Sequence, residues 1–207
     1  MLLTGTPKNV PDPLEPRKSD IMATDIVLDK LLTQIPLFRN LNPTERRQLG
    51  EITKLEPWAA GSVIVRQGEQ SRCLSVVIEG KCEVVKHIEH TAPDDKSSRE
   101  SFVLAVIGPY DQFGDMSFFY PAPHSADVRA QTDVQLLRIA YADYKDLLDE
   151  GVTAAYKLSH NVVESLAGRL RRMDDWIAEL LAHQPTTAEH TREWSAFREK
   201  LCNNWNV

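Results

Sequence analysis

The chain is 207 residues long, 42% hydrophobic and 26% charged, which is enough for one ordinary domain with appendages. Twenty-four Lys and Arg against thirty Asp and Glu leave a net charge of −6, a balance that argues against broad contact with nucleic acid or an anionic membrane. No apolar run approaches the roughly 18 residues that cross a bilayer, and the N-terminus lacks the apolar stretch of a secretory signal, so the sequence reads as cytoplasmic.

Residues 1–24 carry Pro7, Pro11, Pro13 and Pro16 among charges and few large apolar groups. Such a segment cannot bury enough surface to offset its ordering entropy, and a disordered tail is expected. A domain is expected over 25–150. It opens with a helix whose Ile26, Leu28, Leu31, Leu32 and Ile35 share one face, stopped by Pro36. Asn42 and Pro43 suit the N-cap and first turn of a second helix, with Leu49 and Ile52 apolar.

The period then changes to two. Ser62–Arg66, Leu74–Ile78, Lys81–Lys86, Phe102–Ile107, Ala126–Ala130 and Val134–Ile139 are short runs rich in Val, Ile and Leu, punctuated by Gly61, Gly68, Gly80, Gly108 and Gly114. Short strands between glycine turns predict an all-β roll or barrel. The charged stretch 87–101 reads as a hairpin loop. Cys73, Cys82 and Cys202 are odd in number with no CxxC spacing. With a hairpin turning at Glu79-Gly80, Cys82 lies opposite Val77 rather than Cys73, so reduced buried thiols are expected.

Tyr141–Leu148 predicts a short helix, and 151–184 a long one. There Tyr156, Val163, Leu166, Leu170, Met173, Ile177 and Leu180 follow alternating four- and three-residue steps, a coiled-coil seam with Ser159 as its polar member and a homodimer interface. In 185–207, Trp194, Phe197, Leu201 and Trp205 predict a terminal amphipathic helix. Of the six histidines only His87 and His90 are close, with no third ligand in view, so no metal site is expected. No GxSxG, Cys/His dyad or P-loop is present, and the chain does not read as an enzyme.

The order of these elements carries more than any single motif. Ile35-Pro36-Leu37-Phe38 leads to Ala60-Gly61-Ser62-Val63-Ile64-Val65-Arg66-Gln67-Gly68-Glu69. Val77-Ile78-Glu79-Gly80-Lys81 and Ile107-Gly108-Pro109 follow, then Phe113-Gly114-Asp115-Met116-Ser117-Phe118-Phe119 and Pro123-His124-Ser125-Ala126-Asp127-Val128-Arg129-Ala130. Over about residues 25–184 the chain resembles the cyclic nucleotide-binding domains of catabolite activator proteins, protein kinase A regulatory subunits and cyclic nucleotide-gated channels. The resemblance implies a mainly β fold with flanking α-helices: a double-stranded β-helix, or jelly roll, with N-terminal helices and a long C-terminal helix serving as lid and dimer interface.

The resemblance also implies a ligand site. Gly114 matches the cassette glycine, and Met116 and Ser117 would offer backbone N–H groups to a cyclic phosphate. Asp115 stands where the family has a Glu for the ribose, one methylene shorter. His124 stands where the family has a phosphate-binding Arg, replacing a permanent charge with an imidazole. Ser125 keeps a hydroxyl, Tyr110 fills a position that is often glycine, and Asp127 adds a carboxylate that would favour a His124 imidazolium. Arg169 or Arg172 of the long helix could supply the missing cation, and Met173 and Asp174 stand near the base.

Two functions stay open. One is a cyclic nucleotide sensor for cyclic AMP, cyclic GMP or cyclic di-GMP that signals through its C-terminal helix to a protein partner. The other is a degenerate, ligand-free dimeric scaffold that docks a partner. Only 23 residues follow Gln184, against the winged helix-turn-helix of DNA-binding relatives, so DNA binding is not expected.

Overall fold

The computed structural model describes residues 28–91, 97–182 and 199. The expected N-terminal tail, Cys202 and the Trp194/Phe197/Leu201/Trp205 helix lie outside the described residues. Residues 28–34 are helical (α1), and Pro36–Phe38 form a 3-10 turn. Helix α2, Pro43–Glu51, begins on a capping box: Asn42 Oδ1 accepts from the Glu45 N–H at 2.9 Å, and Glu45 Oε2 accepts from the Asn42 N–H at 2.8 Å.

Eight strands follow: β1 Thr53–Trp58, β2 Val63–Val65, β3 Cys73–Glu79, β4 Cys82–Thr91, β5 Ser97–Ile107, β6 Gln112–Phe113, β7 Asp127–Ala130 and β8 Val134–Ala140. They form two four-stranded sheets, in the orders β1-β8-β3-β6 and β2-β7-β4-β5, with every pairing antiparallel. Between the sheets Val77, Cys82, Phe113, Val128, Ala130, Val134 and Leu136 make the core. Helix α3, Asp115–Phe119, follows β6, and α4, Tyr141–Asp149, follows β8. This is the expected jelly roll.

The turn at Gly80 differs from the expected hairpin. β3 pairs with β8 and β6, and β4 pairs with β5 and β7, so the chain crosses from one sheet to the other there. Gly80 has φ +84°, and a Cβ on it would lie 2.2 Å from the Asp133 carbonyl oxygen, so this corner admits only glycine. Cys73 therefore pairs with Ala140 and Cys82 with Ile107 and Ala130. Both are free thiols, and burial pushes that of Cys82 up to about 11.

The expected loop over 87–101 is mostly strand. β4 and β5 stay in register out to Thr91 and Ser97, and Glu89 stands opposite Arg99. Its charged residues therefore sit on paired strands rather than in a loop.

Helix α5, Thr153–Ala182, buries Ala154, Ala155, Leu158 and Val162 in its first turns. There Lys157 Nζ reaches Glu45 Oε2 at 2.7 Å, and Asn161 Nδ2 donates to the Leu37 and Arg39 carbonyls at 2.8 and 3.0 Å. Ser159, expected in the seam, meets Tyr144 Oη at 2.5 Å instead. The chain divides into two compact units, one through Val162 and one from Val163. No described helix is long and apolar enough to cross a membrane.

Candidate functional site

Helix α3 is fixed at both ends. Gly114, its N-cap, has φ +82°, and a Cβ there would sit 2.3 Å from the Cys73 carbonyl oxygen. At the other end the Arg72 guanidinium donates to the Phe118 carbonyl at 3.0 and 2.6 Å and stacks 3.1 Å over the Tyr141 ring. The Phe118 ring is fully buried, with centroids 5.4 and 5.1 Å from Tyr141 and Tyr144.

Asp115 is only 2% exposed. Its Oδ1 accepts from the Met116 N–H at 2.9 Å and its Oδ2 from Gln112 Nε2 at 3.1 Å. The carboxylate is turned into the protein rather than toward a ribose, and the Met116 N–H is already taken. The physical reason is the shorter side chain, which reaches its own helix. The Met116 side chain itself is exposed.

His124 is buried between two hydroxyls: Nδ1 lies 3.1 Å from Ser117 Oγ and Nε2 lies 2.7 Å from Ser71 Oγ. Ser117 Oγ also donates to the Gly114 carbonyl at 3.1 Å, so its oxygen accepts from Nδ1–H and Ser71 donates to Nε2. Burial lowers the His124 pKa below its ordinary value, against the charge of Glu69. Burial therefore favours the neutral imidazole over the imidazolium.

Asp127 does not meet His124. On β7 Val128 and Ala130 face the core, so Asp127 and Arg129 face the opposite side of the sheet. There its carboxylate accepts from the Gln67 N–H at 2.7 Å, His87 Nε2 at 3.0 Å and Arg129 Nη2 at 2.8 Å. Burial alone would raise its pKa, but these donors outweigh it and hold the group at about 2. Arg169 lies on α5 beyond Val162, in the second unit. Tyr110 adopts a positive φ of 71° and donates its hydroxyl to Gln34 Oε1 at 2.7 Å.

The structure thus brings Gly114, Asp115, Met116, Ser117 and His124 together and sets Asp127 apart. It adds Ser71 and Gln112, which bond His124 and Asp115, and Lys86. Cys82 and Val84 of β4 pack into the core, and Lys86 is the next residue of the same parity, where its Nζ donates to the Ser125 carbonyl. A period-two reading of Lys81–Lys86 carries the signal for this inward lysine.

Residues 55–151 match the family model described as the cyclic nucleotide-binding domain. The CRP-like cAMP-activated global transcriptional regulator of Mycobacterium tuberculosis is 25% identical over 154 residues, which are 74% of this chain and 63% of that protein. The cyclic AMP receptor protein of Thermus thermophilus is 30% identical over 139 residues, 67% of this chain and 59% of that protein. The chain therefore spans less than two thirds of the length of either relative. A crystal structure of a cyclic nucleotide-binding domain from Methylobacillus flagellatus superposes with a TM-score of 0.61 at 17% identity, over 80% of this chain and 87% of that one, a likeness of fold.

Proposed function

Residues 55–151 belong to the cyclic nucleotide-binding domain family, and from that premise we propose that this chain is a non-catalytic sensor whose roll takes a cyclic nucleotide with its phosphate toward Lys86. The observation that carries this reading is the Lys86 ammonium beside the Ser125 carbonyl on the inward side of β4. A buried anion needs a cation, and the neutral His124 does not supply one. The relatives named for cyclic AMP support that nucleotide first, with cyclic GMP and cyclic di-GMP as competitors. The output is α5, where Tyr156, Val163, Leu170 and Ile177 recur every seven residues as exposed apolar side chains, the pattern of a homodimer seam. Ligand would bias that output only by binding its two states unequally.

A second reading, a ligand-free dimeric module docking a protein partner, is favoured by one observation. Asp115 and His124 have their hydrogen bonds satisfied within the protein. Thermal unfolding in the presence of cyclic AMP, cyclic GMP and cyclic di-GMP separates the two. A ligand at about 100 times its dissociation constant adds about 2.7 kcal/mol of stability. A rise in melting temperature with one nucleotide supports the sensor. No rise with any of them at millimolar concentration leaves the ligand-free module.

A further inference from the structure

A cavity of about 480 Å³ opens on the outer face of the β2-β7-β4-β5 sheet, and none of Asp115, Ser117, His124 or Lys86 lines it. Its floor is rigid and paired. Asp127 holds three donors, His87 Nδ1 lies 2.8 Å from Ser101 Oγ, and the Gln67 side-chain amide bonds both backbone groups of His87, at 2.9 and 2.8 Å.

The walls carry three guanidiniums. Arg66 follows β2, Arg99 belongs to β5 and Arg129 to β7, so they reach the cavity from three strands. Among the described residues that line it, the carboxylates against them are Asp127, already filled, and Glu69, whose Oε1 lies 3.9 Å from Arg66 Nε with both side chains exposed. Arg99 has no ion-pair or hydrogen-bond partner among the described residues. Three arginines against two carboxylates leave a net positive concavity, and such a site concentrates anions. Guanidiniums drawn from separate parts of a sheet suit a tetrahedral oxyanion, whereas a carboxylate is satisfied by a single fork. The volume falls in the small-molecule range of about 300–1,000 Å³. Among the described residues no Phe, Tyr, Trp or aliphatic side chain lines the cavity, which suits a ligand that is polar throughout.

We propose that this cavity binds the phosphate group of a small sugar phosphate, with Arg66, Arg99 and Arg129 as its cations, independently of any nucleotide held in the roll. The full chain, labelled with nitrogen-15, is titrated with ribose 5-phosphate and separately with inorganic phosphate at constant ionic strength, following the amides of Gln67, Ser101 and Arg129. Saturable shifts are expected, tighter with the sugar phosphate. Arg99→Gln and Arg66→Gln, both exposed and outside the folded core, should each weaken binding about tenfold or more, a loss of about 1.4 kcal/mol. Arg47→Gln on α2 should leave it unchanged. Shifts that grow linearly without saturating, or an unchanged constant in Arg99→Gln, overturn the site. Equal binding of the two probes overturns the sugar and leaves free phosphate as the ligand.

Discussion

Replacing Lys86 by Met tests the source of the charge that a cyclic phosphate requires. An ammonium about 4 Å from a monoanion is worth about 4 kcal/mol at an effective dielectric of about 20. Lys86 already donates to the Ser125 carbonyl, and surrendering or sharing that bond offsets about 1 kcal/mol. The net loss is then about 3 kcal/mol, or about 150-fold in affinity. Calorimetric titration with cyclic AMP at pH 6 and pH 8 reads it directly, and Lys86→Arg should stay close to the parent. The pH arm separates the two candidate cations. Burial holds the His124 pKa below its ordinary value of 6.5, so the folded state favours the neutral ring. Protonation then costs stability as pH falls from 6.5 through the lowered pKa. A site paired by lysine binds equally at both pH values, whereas a site paired by His124 binds more tightly at pH 6. Refutation would be a Lys86→Met variant within about threefold of the parent, or pH 6 enhancement that disappears in His124→Gln. If the parent itself binds no nucleotide, the ligand-free reading stands instead.

Gly114→Ala is expected to destabilise the domain rather than act on binding alone. A positive φ and a 2.3 Å approach to the Cys73 carbonyl oxygen together should cost about 2–4 kcal/mol, about 5–12 °C in melting temperature for a domain of this size. A fall below about 2 °C in a thermal scan would mean that the Cys73 strand gives way. Leu170→Glu tests the α5 seam. Each protomer should lose about 2 kcal/mol of apolar burial, weakening the dimer roughly 1,000-fold, and sedimentation velocity should then show monomer. A parent that is already monomeric, or a variant that remains dimeric, removes the seam.

Much of the fold was legible because burial leaves a period. The runs that became β2, β3, β4, β5, β7 and β8 alternate or are wholly apolar, and Asn42 announced its cap. β1 was hidden by Lys54, Glu56 and Pro57, residues tolerated because the strand lies at the edge of its sheet with Pro57 beside β8 alone. The Gly80 turn was visible as a turn, but a glycine does not say whether the next strand stays in the same sheet. At the site, the motif marked Gly114 and the segment that forms α3, and left side-chain direction open. Whether Asp115 reaches out to a ligand or back to the Met116 N–H depends on one methylene and on Gln112, which only the fold brings near. Asp127 is different, because its parity with Val128 and Ala130 already excluded it from the inside of the roll.

A cassette whose groups are already paired makes ligand entry an exchange. The Met116 N–H must leave Asp115 before it can meet a phosphate, and Asp115 must leave Gln112 before it can meet a ribose. Each exchange nets only about 1 kcal/mol, because one hydrogen bond replaces another. The proposed ligand would then bind with a rearranged α3 rather than by a static fit. That helix cannot shift alone. Arg72 ties the Phe118 carbonyl to the Tyr141 ring, and the Arg72 carbonyl accepts the Tyr141 N–H at 3.0 Å. The Phe118 ring lies against Tyr144, whose hydroxyl meets Ser159 at the start of α5. These contacts form an unbroken path from cassette to α5, and contiguity alone does not make a relay. What would make it one is a choice at Asp115, between its own helix and a ligand, that moved Phe118 against Tyr144.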